Sequence, residues 1–126
     1  MSVLQRILIV FVALEHFFIL FMEMFAWNTL GKKTFKDAFP DDLFEQTTVM
    51  AANQGLYNGF LAAGLLWTLF IVNKIWRFNI SVFFLCCVIL AGIYGCFTIQ
   101  TKVFFTQAIP AIITLIVTLF NFKKSE

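Results

Sequence analysis

Of 126 residues, 61% are hydrophobic and only 13% are charged, and the mean hydropathy is +0.90. That balance excludes a soluble globular domain, and a net charge of +2 spread over the flanks of apolar runs excludes an electrostatic nucleic-acid binder. What remains is an integral membrane protein whose first partner is the lipid bilayer.

Four apolar runs, at about 4–27, 51–72, 78–98 and 103–122, are long enough to cross roughly 30 Å of hydrocarbon as helices. With short connections they predict an all-α, four-transmembrane-helix up-and-down bundle, residues 1–126 forming a single integral membrane domain. In the first run Arg6 precedes an apolar core, as in a secretory signal. The apolar stretch continues past Glu15 and His16 to Trp27 with no small-x-small cleavage pattern, so a retained helix is expected. Glu15, His16 and Glu23 each cost at least about 2.5–3.5 kcal/mol if charged at mid-bilayer, which turns them inward. His16, Glu23 and Trp27 are seven and four apart and share nearly one line on the helix, with Glu15 about 100° round from His16.

The sizeable loop, 29–48, carries Lys32, Lys33 and Lys36 first and Asp37, Asp41, Asp42 and Glu45 afterwards. Pro40 followed by Asp41 signals a helix start, and Phe39, Leu43 and Phe44 give that piece an apolar side. A short interfacial helix, an extension of the second run and an ordinary solvated loop all fit. In the second run Asn53, Gln54, Tyr57 and Asn58 fill one arc of the helix. Gly55, Gly59 and Ala63 fill the next, and Leu56, Phe60 and Trp67 the third. These read as a polar face, a close-contact face and a lipid face.

A basic turn at 73–79 places Trp76 beside Lys74 and Arg77 as an interfacial anchor. In the third run Ala91 and Gly95 make a small-xxx-small face, with Tyr94 and Thr98 beside it. Cys86, Cys87 and Cys96 lack C-x-x-C spacing and read as small apolar fillers. In the last run Gln107, Ala111, Thr114 and Thr118 form an inward stripe, with Pro110 interrupting the ladder nearby.

At about 1.5 Å rise per residue, Glu15 lies near mid-bilayer, whereas Glu23, Asn53, Asn58, Tyr94 and Gln107 all lie toward the first and third loops. The half nearer the termini reads as almost free of polar residues. One polar cavity in one leaflet is therefore expected, closed on the other side by apolar side chains. Basic residues number five on the side of the termini (Arg6, Lys74, Arg77, Lys123, Lys124) against four opposite (Lys32, Lys33, Lys36, Lys102). The excess votes for a multi-pass cell-membrane protein with cytoplasmic termini and an outward-facing cavity.

Glu15-His16 and Glu23-Met24-Phe25, the string from Asn53 to Gly59, Ala91-Gly92-Ile93-Tyr94-Gly95, and Gln107 before Pro110 together resemble the small bacterial membrane proteins catalogued as domain of unknown function 1304. The likeness covers nearly the whole chain. It implies a four-helix integral membrane protein of uncharacterised role, some members of which carry an epimerase label. In architecture alone the chain is also similar to the small multidrug resistance transporters, which work as dimers. That family's own pattern is missing, and His16, Glu23 and the amide cluster are additional to it.

Eleven residues are expected to bind a ligand: Glu15, His16, Glu23, Trp27, Asn53, Gln54, Tyr57, Asn58, Tyr94, Thr98 and Gln107. Glu15, His16 and Glu23 are the candidates for proton handling or catalysis. No metal is expected, because His16 and Glu23 stand about 10 Å apart along one helix while ligands of one ion lie about 2.0–2.2 Å from it. No cofactor motif occurs. The leading reading is binding, extending to proton-coupled transport, of a small polar or cationic molecule by a self-associating protein. An intramembrane acid/base isomerase or epimerase is the alternative, and a structural or assembly role is the third.

Overall fold

The computed structural model describes residues 1–124, and among these it contains helices and no strand. Helix α1 spans Val3–Phe25 and is started by Ser2, whose hydroxyl accepts from the Gln5 backbone N–H at 3.2 Å. A π-helical turn, Trp27–Gly31, follows, in which the Gly31 N–H reaches back five residues to the Ala26 carbonyl at 2.9 Å. Glycine is required there because a Cβ at position 31 would stand 2.6 Å from Cε3 of Trp27. The chain continues through α2 (Lys32–Phe35) and α3 (Asp41–Gln46). Extended Pro40 precedes α3, and Asp41 and Asp42 lie in its first turn, where the helix dipole favours acids. A Lys32–Asp41 ion pair at 3.1 Å ties the two short helices together.

Helix α4 spans Thr48–Trp67, α5 spans Lys74–Thr98, and a second π-helical turn, Phe104–Ala108, leads into α6 (Ile109–Lys123). The differences from the apolar runs have local causes. Asn73 accepts from the backbone N–H groups of Ile75 and Trp76, both at 3.0 Å, so α5 begins four residues before the apolar run and takes Lys74 and Arg77 into its first turn. Helix α4 stops at Trp67 rather than 72, and the buried Thr68 hydroxyl donates to the Leu65 carbonyl at 2.6 Å as the chain turns away. Pro110 cannot donate to the ladder, and beside it the Ile109 N–H reaches back to Phe104, which widens the turn carrying Gln107. From the end of the π-turn the 29–48 segment runs through two short helices. Its rings meet Trp27 and one another at tilted or edge-on angles, with Trp27 to Phe44 at 5.1 Å, Trp27 to Phe35 at 5.8 Å and Phe39 to Phe44 at 6.1 Å.

Helix α1 packs on α4 and α6, and α5 packs on α4 and α6. Between them lies a dry core of Ile9, Val12 and Ala13 from α1, Ala62 and Leu65 from α4, Leu85 and Val88 from α5, and Ala111 from α6, all fully buried. Glycines set the closest approaches. A Cβ at Gly55 would stand 2.8 Å from Met24 Cγ and 3.0 Å from the Leu20 carbonyl, and one at Gly59 would strike the Leu20 side chain. On the other pair, a Cβ at Gly92 would stand 2.7 Å from the Ala108 backbone nitrogen, and one at Gly95 2.8 Å from Val103. Of the small faces read from the sequence, Gly55, Gly59 and Gly95 are occupied within the chain, Gly92 takes the place expected for Ala91, and Ala63 is exposed while its neighbour Gly64 is buried against Phe84.

Among the described residues three helices, Val3–Phe25, Lys74–Thr98 and Phe104–Lys123, are long and apolar enough to cross a membrane. Only 28%, 28% and 22% of their most apolar stretches are buried against the rest of the chain, so most of that surface is free to meet lipid. Helix α4 has the length, 20 residues, but Asn53, Gln54 and Asn58 dilute its apolar character and it does not join the three.

Candidate functional site

At the end of the helices that carries the first loop, three cavities adjoin. The largest, about 430 Å³, lies between α1, α4, α5 and the π-turn ahead of α6, and Glu23, Gln54, Tyr57, Asn58 and Gln107 supply its polar wall. Ile19, Met22, Leu61, Ala91 and Val103 supply apolar wall. A second, about 240 Å³, shares Glu23, Gln54 and Ile99 with the first and extends under the loop helices, walled by Trp27, Phe35, Phe39 and Phe44. The third, about 270 Å³, shares Ile19, Met22, Val103 and Gln107 with the largest and is lined by Glu15, Thr34, Gln100, Lys102 and Thr106.

Glu23 stands at the junction of the first two cavities, and its Oε2 accepts a hydrogen bond from Nδ2 of Asn58 at 2.9 Å. The same amide nitrogen donates to the Gln54 carbonyl one turn back at 3.2 Å, which aims it. Helices α1 and α4 come close enough for this bond because Gly55 and Gly59 face α1 on either side of it. Trp27 donates from Nε1 to the Thr47 hydroxyl at 3.0 Å, and that hydroxyl donates to the Leu43 carbonyl at 2.7 Å, so the indole wall is fixed to the loop. Gln107 is the polar side chain shared by the cavities of Glu15 and Glu23.

The eleven expected residues divide. Glu23, Trp27, Gln54, Tyr57, Asn58 and Gln107 line the first two cavities, and Glu15 lines the adjoining third with one carboxyl oxygen buried and unpartnered in the structure. His16 is fully buried and lines none of the three. Its Nδ1 lies 2.8 Å from the Val12 carbonyl, so Nδ1 carries the proton and Nε2 is left as a buried acceptor without a partner. Asn53 is exposed and bonds the Val49 carbonyl of its own helix at 2.9 Å. Thr98 bonds the Tyr94 carbonyl at 2.8 Å, and Tyr94 is 72% exposed, so neither reaches a cavity. Helical periodicity places Tyr94 and Thr98 beside the small face, yet α5 turns Gly92 and Gly95 to α6 and leaves those two outward. Among the described residues no three of His, Cys, Asp and Glu come together as metal ligands would.

The model of a family described as "Protein of unknown function (DUF1304)" matches residues 10–119. The chain belongs to that family. An uncharacterised protein, YpaA, from Lactococcus lactis subsp. lactis (strain IL1403) is 32% identical over 128 residues, covering 95% of this chain and 100% of that protein. No solved structure matches the chain significantly. The family match takes in both carboxylates, the Asn58 amide and Gln107.

Sequence reasoning missed the aromatic wall and the far end. Phe35 lines all three cavities, and Gln100 and Lys102 join Glu15. At the opposite end Gln5, Thr68 and Ser81 are buried alongside the Thr114 and Thr118 of the expected inward stripe, where an almost purely apolar half was expected. The signal was present for one of them: Gln5 precedes Ile9, Val12 and His16 at 4-3-4 spacing and so shares their buried face.

Proposed function

We propose that this family member is a membrane protein that binds a small cation with an apolar body in the paired cavities beside Glu23. The observation that supports it is the Glu23 carboxylate, held by Asn58 at 2.9 Å where a polar cavity meets an aromatic one. A carboxylate partly withdrawn from water attracts a cation, and ring faces at Trp27, Phe35, Phe39 and Phe44 suit its apolar part and its charge. Gln54, Tyr57 and Gln107 supply neutral donors and acceptors around it. In this reading α4 is the fourth span of an up-and-down bundle in the cell membrane, with cytoplasmic termini and the cavity facing outward. Gln54, Tyr57 and Asn58 of its polar arc are tolerated because they border the cavity, and Asn53 because it bonds its own helix. Transport would add proton exchange at Glu15, whose cavity joins that of Glu23 through Gln107, and self-association would use the outer face of α4.

The acid/base alternative draws less support, because His16, the natural partner for a carboxyl, lies away from the cavities. The test uses tetraphenylphosphonium as a lipophilic monocation with protein purified in detergent. Saturable binding is expected, weakened at least about tenfold by Glu23→Gln, since a charge-assisted contact is worth about 1.5–3 kcal/mol. Undiminished binding in Glu23→Gln would end the reading. In vesicles, loss of proton-coupled uptake in Glu15→Gln with tetraphenylphosphonium binding retained would extend binding to transport, and equal flux would confine the function to binding.

A further inference from the structure

Far from Glu23, a cleft of about 160 Å³ opens between the starts of α1 and α5 and the end of α6. Its floor is a fixed polar network. Gln5, 5% exposed, donates from Nε2 to the Thr118 hydroxyl at 3.1 Å and accepts at Oε1 from Asn121 Nδ2 at 3.2 Å. Asn121 Nδ2 also donates to Ser2 Oγ at 2.8 Å. Lys74 and Arg77 stand on the rim. Arg77 is steadied by donating from Nη1 to the Ile71 carbonyl at 3.2 Å, and the Lys74 ammonium sits 5.4 Å from the Phe122 ring centre. Beside them Phe78 and Phe122 stack at 3.9 Å.

Among the described residues the charge here has one sign: positions 1–10, positions 64–80 and the end of α6 contain Arg6, Lys74, Arg77, Lys123 and Lys124 and no acid. The amino group of Met1 feels that potential: its pKa is lowered, first by burial and then by Arg77, Arg6 and Lys74. Three helices with the length and apolar character of membrane spans start or end at this cleft, which sets it at headgroup depth.

We propose that the cleft binds a phosphate-class anion, presented by an anionic lipid headgroup or free in solution. A guanidinium fork matches phosphate geometry, Lys74 adds a second positive charge, and the neutral floor imposes no like charge to oppose the ligand. The stacked Phe pair offers the glycerol and first acyl carbons an apolar side. Basic pockets between membrane helices hold acidic headgroups in this way. The volume suits one phosphate group rather than a nucleotide.

The test follows thermal unfolding of the full chain in detergent, titrated with phosphatidylglycerol, with phosphatidylcholine, and with inorganic phosphate. Phosphatidylglycerol is expected to raise Tm saturably where phosphatidylcholine does not, and inorganic phosphate does the same if the free ion is the ligand. Arg77→Gln should weaken the effective anion about fivefold, the equivalent of roughly 1 kcal/mol per basic side chain at a membrane surface. Replacing exposed Lys123 and Lys124 together by Gln should change it less than about twofold, because neither side chain lines the cleft. If Arg77→Gln does not fold, Arg77→Lys keeps the charge, loses the fork and carries the comparison. Equal stabilisation by both lipids with none from phosphate overturns the proposal, as does an equal loss in the Lys123/Lys124 variant, which would mark diffuse surface charge.

Discussion

The two ends of this helix group solve the same problem, polar groups among apolar helices, in opposite ways. At the end of the termini a network pairs polar side chains across helices, Gln5 with Thr118 and Asn121 and Asn121 with Ser2, and the buried Ser81 hydroxyl alone of the buried polar groups there is left without a partner among the described residues. At the loop end they are left short of partners beside space, with an unpartnered oxygen on Glu15 and a single amide bond to Glu23. Between the two stands the dry layer of Ile9, Val12, Ala13, Leu65, Leu85 and Val88. Helix association needs only the first arrangement. Side chains kept underpaired at the edge of a cavity are what a ligand site requires, and both π-helical turns, which bring Trp27 and Gln107 to the cavity walls, lie at that same end.

The contrast breaks most severely if the dry layer fails. Leu65→Ala removes a fully buried side chain and is expected to cost about 2–5 kcal/mol, read as a lowered midpoint of denaturant unfolding in detergent. Glycine contacts come next and can be ranked. A Cβ at Gly92 meets backbone, the Ala108 nitrogen at 2.7 Å, so Gly92→Ala must part α5 from α6 and is expected to cost about 1–3 kcal/mol in the same assay. At Gly59 the obstacle is the movable end of Leu20, so Gly59→Ala should cost clearly less than Gly92→Ala. Equal costs would mean that α1 and α4 are held as rigidly as α5 and α6.

Much of this was legible from periodicity. The stripe of Ala111, Thr114 and Thr118 faces inward, Gly55 and Gly59 face a neighbouring helix, and Glu23 and Asn58 meet. Each follows from the cost of leaving polar atoms or helix backbones unsatisfied in lipid. What periodicity could not give was the rotation of α5. Gly92 and Gly95 make the contact in place of Ala91 and Gly95, Gly92 against Ala108 at the end of the π-turn and Gly95 against Val103 just before it, and with that rotation Tyr94 and Thr98 lie away from the cavity. Nor could it give the aromatic wall, since Phe35, Phe39 and Phe44 come together from two short helices and the residues between them, a segment with no repeating pattern. Buried Gln5 was hidden by its place three residues after an N-cap, where a polar residue reads as flank.

The finest test sets one amide against another. Asn58 and Gln5 both bond across helices, and such bonds in membrane proteins average about 0.6 kcal/mol. Gln5→Leu removes two bonds at once, those to Thr118 and Asn121, so its cost should reach the upper part of that range, up to about 1.7 kcal/mol. Asn58→Leu removes one bond beside an open cavity of about 430 Å³, and its cost should be about 0.6 kcal/mol or less. For tetraphenylphosphonium affinity the order should invert, with Asn58→Leu weakening binding because Glu23 loses the group that aims it, and Gln5→Leu leaving it unchanged. Unfolding midpoints and binding isotherms on the same two preparations decide the matter. If stability and affinity fall together in both variants, the two ends are not separate in purpose and the loop-end carboxylate is part of the scaffold.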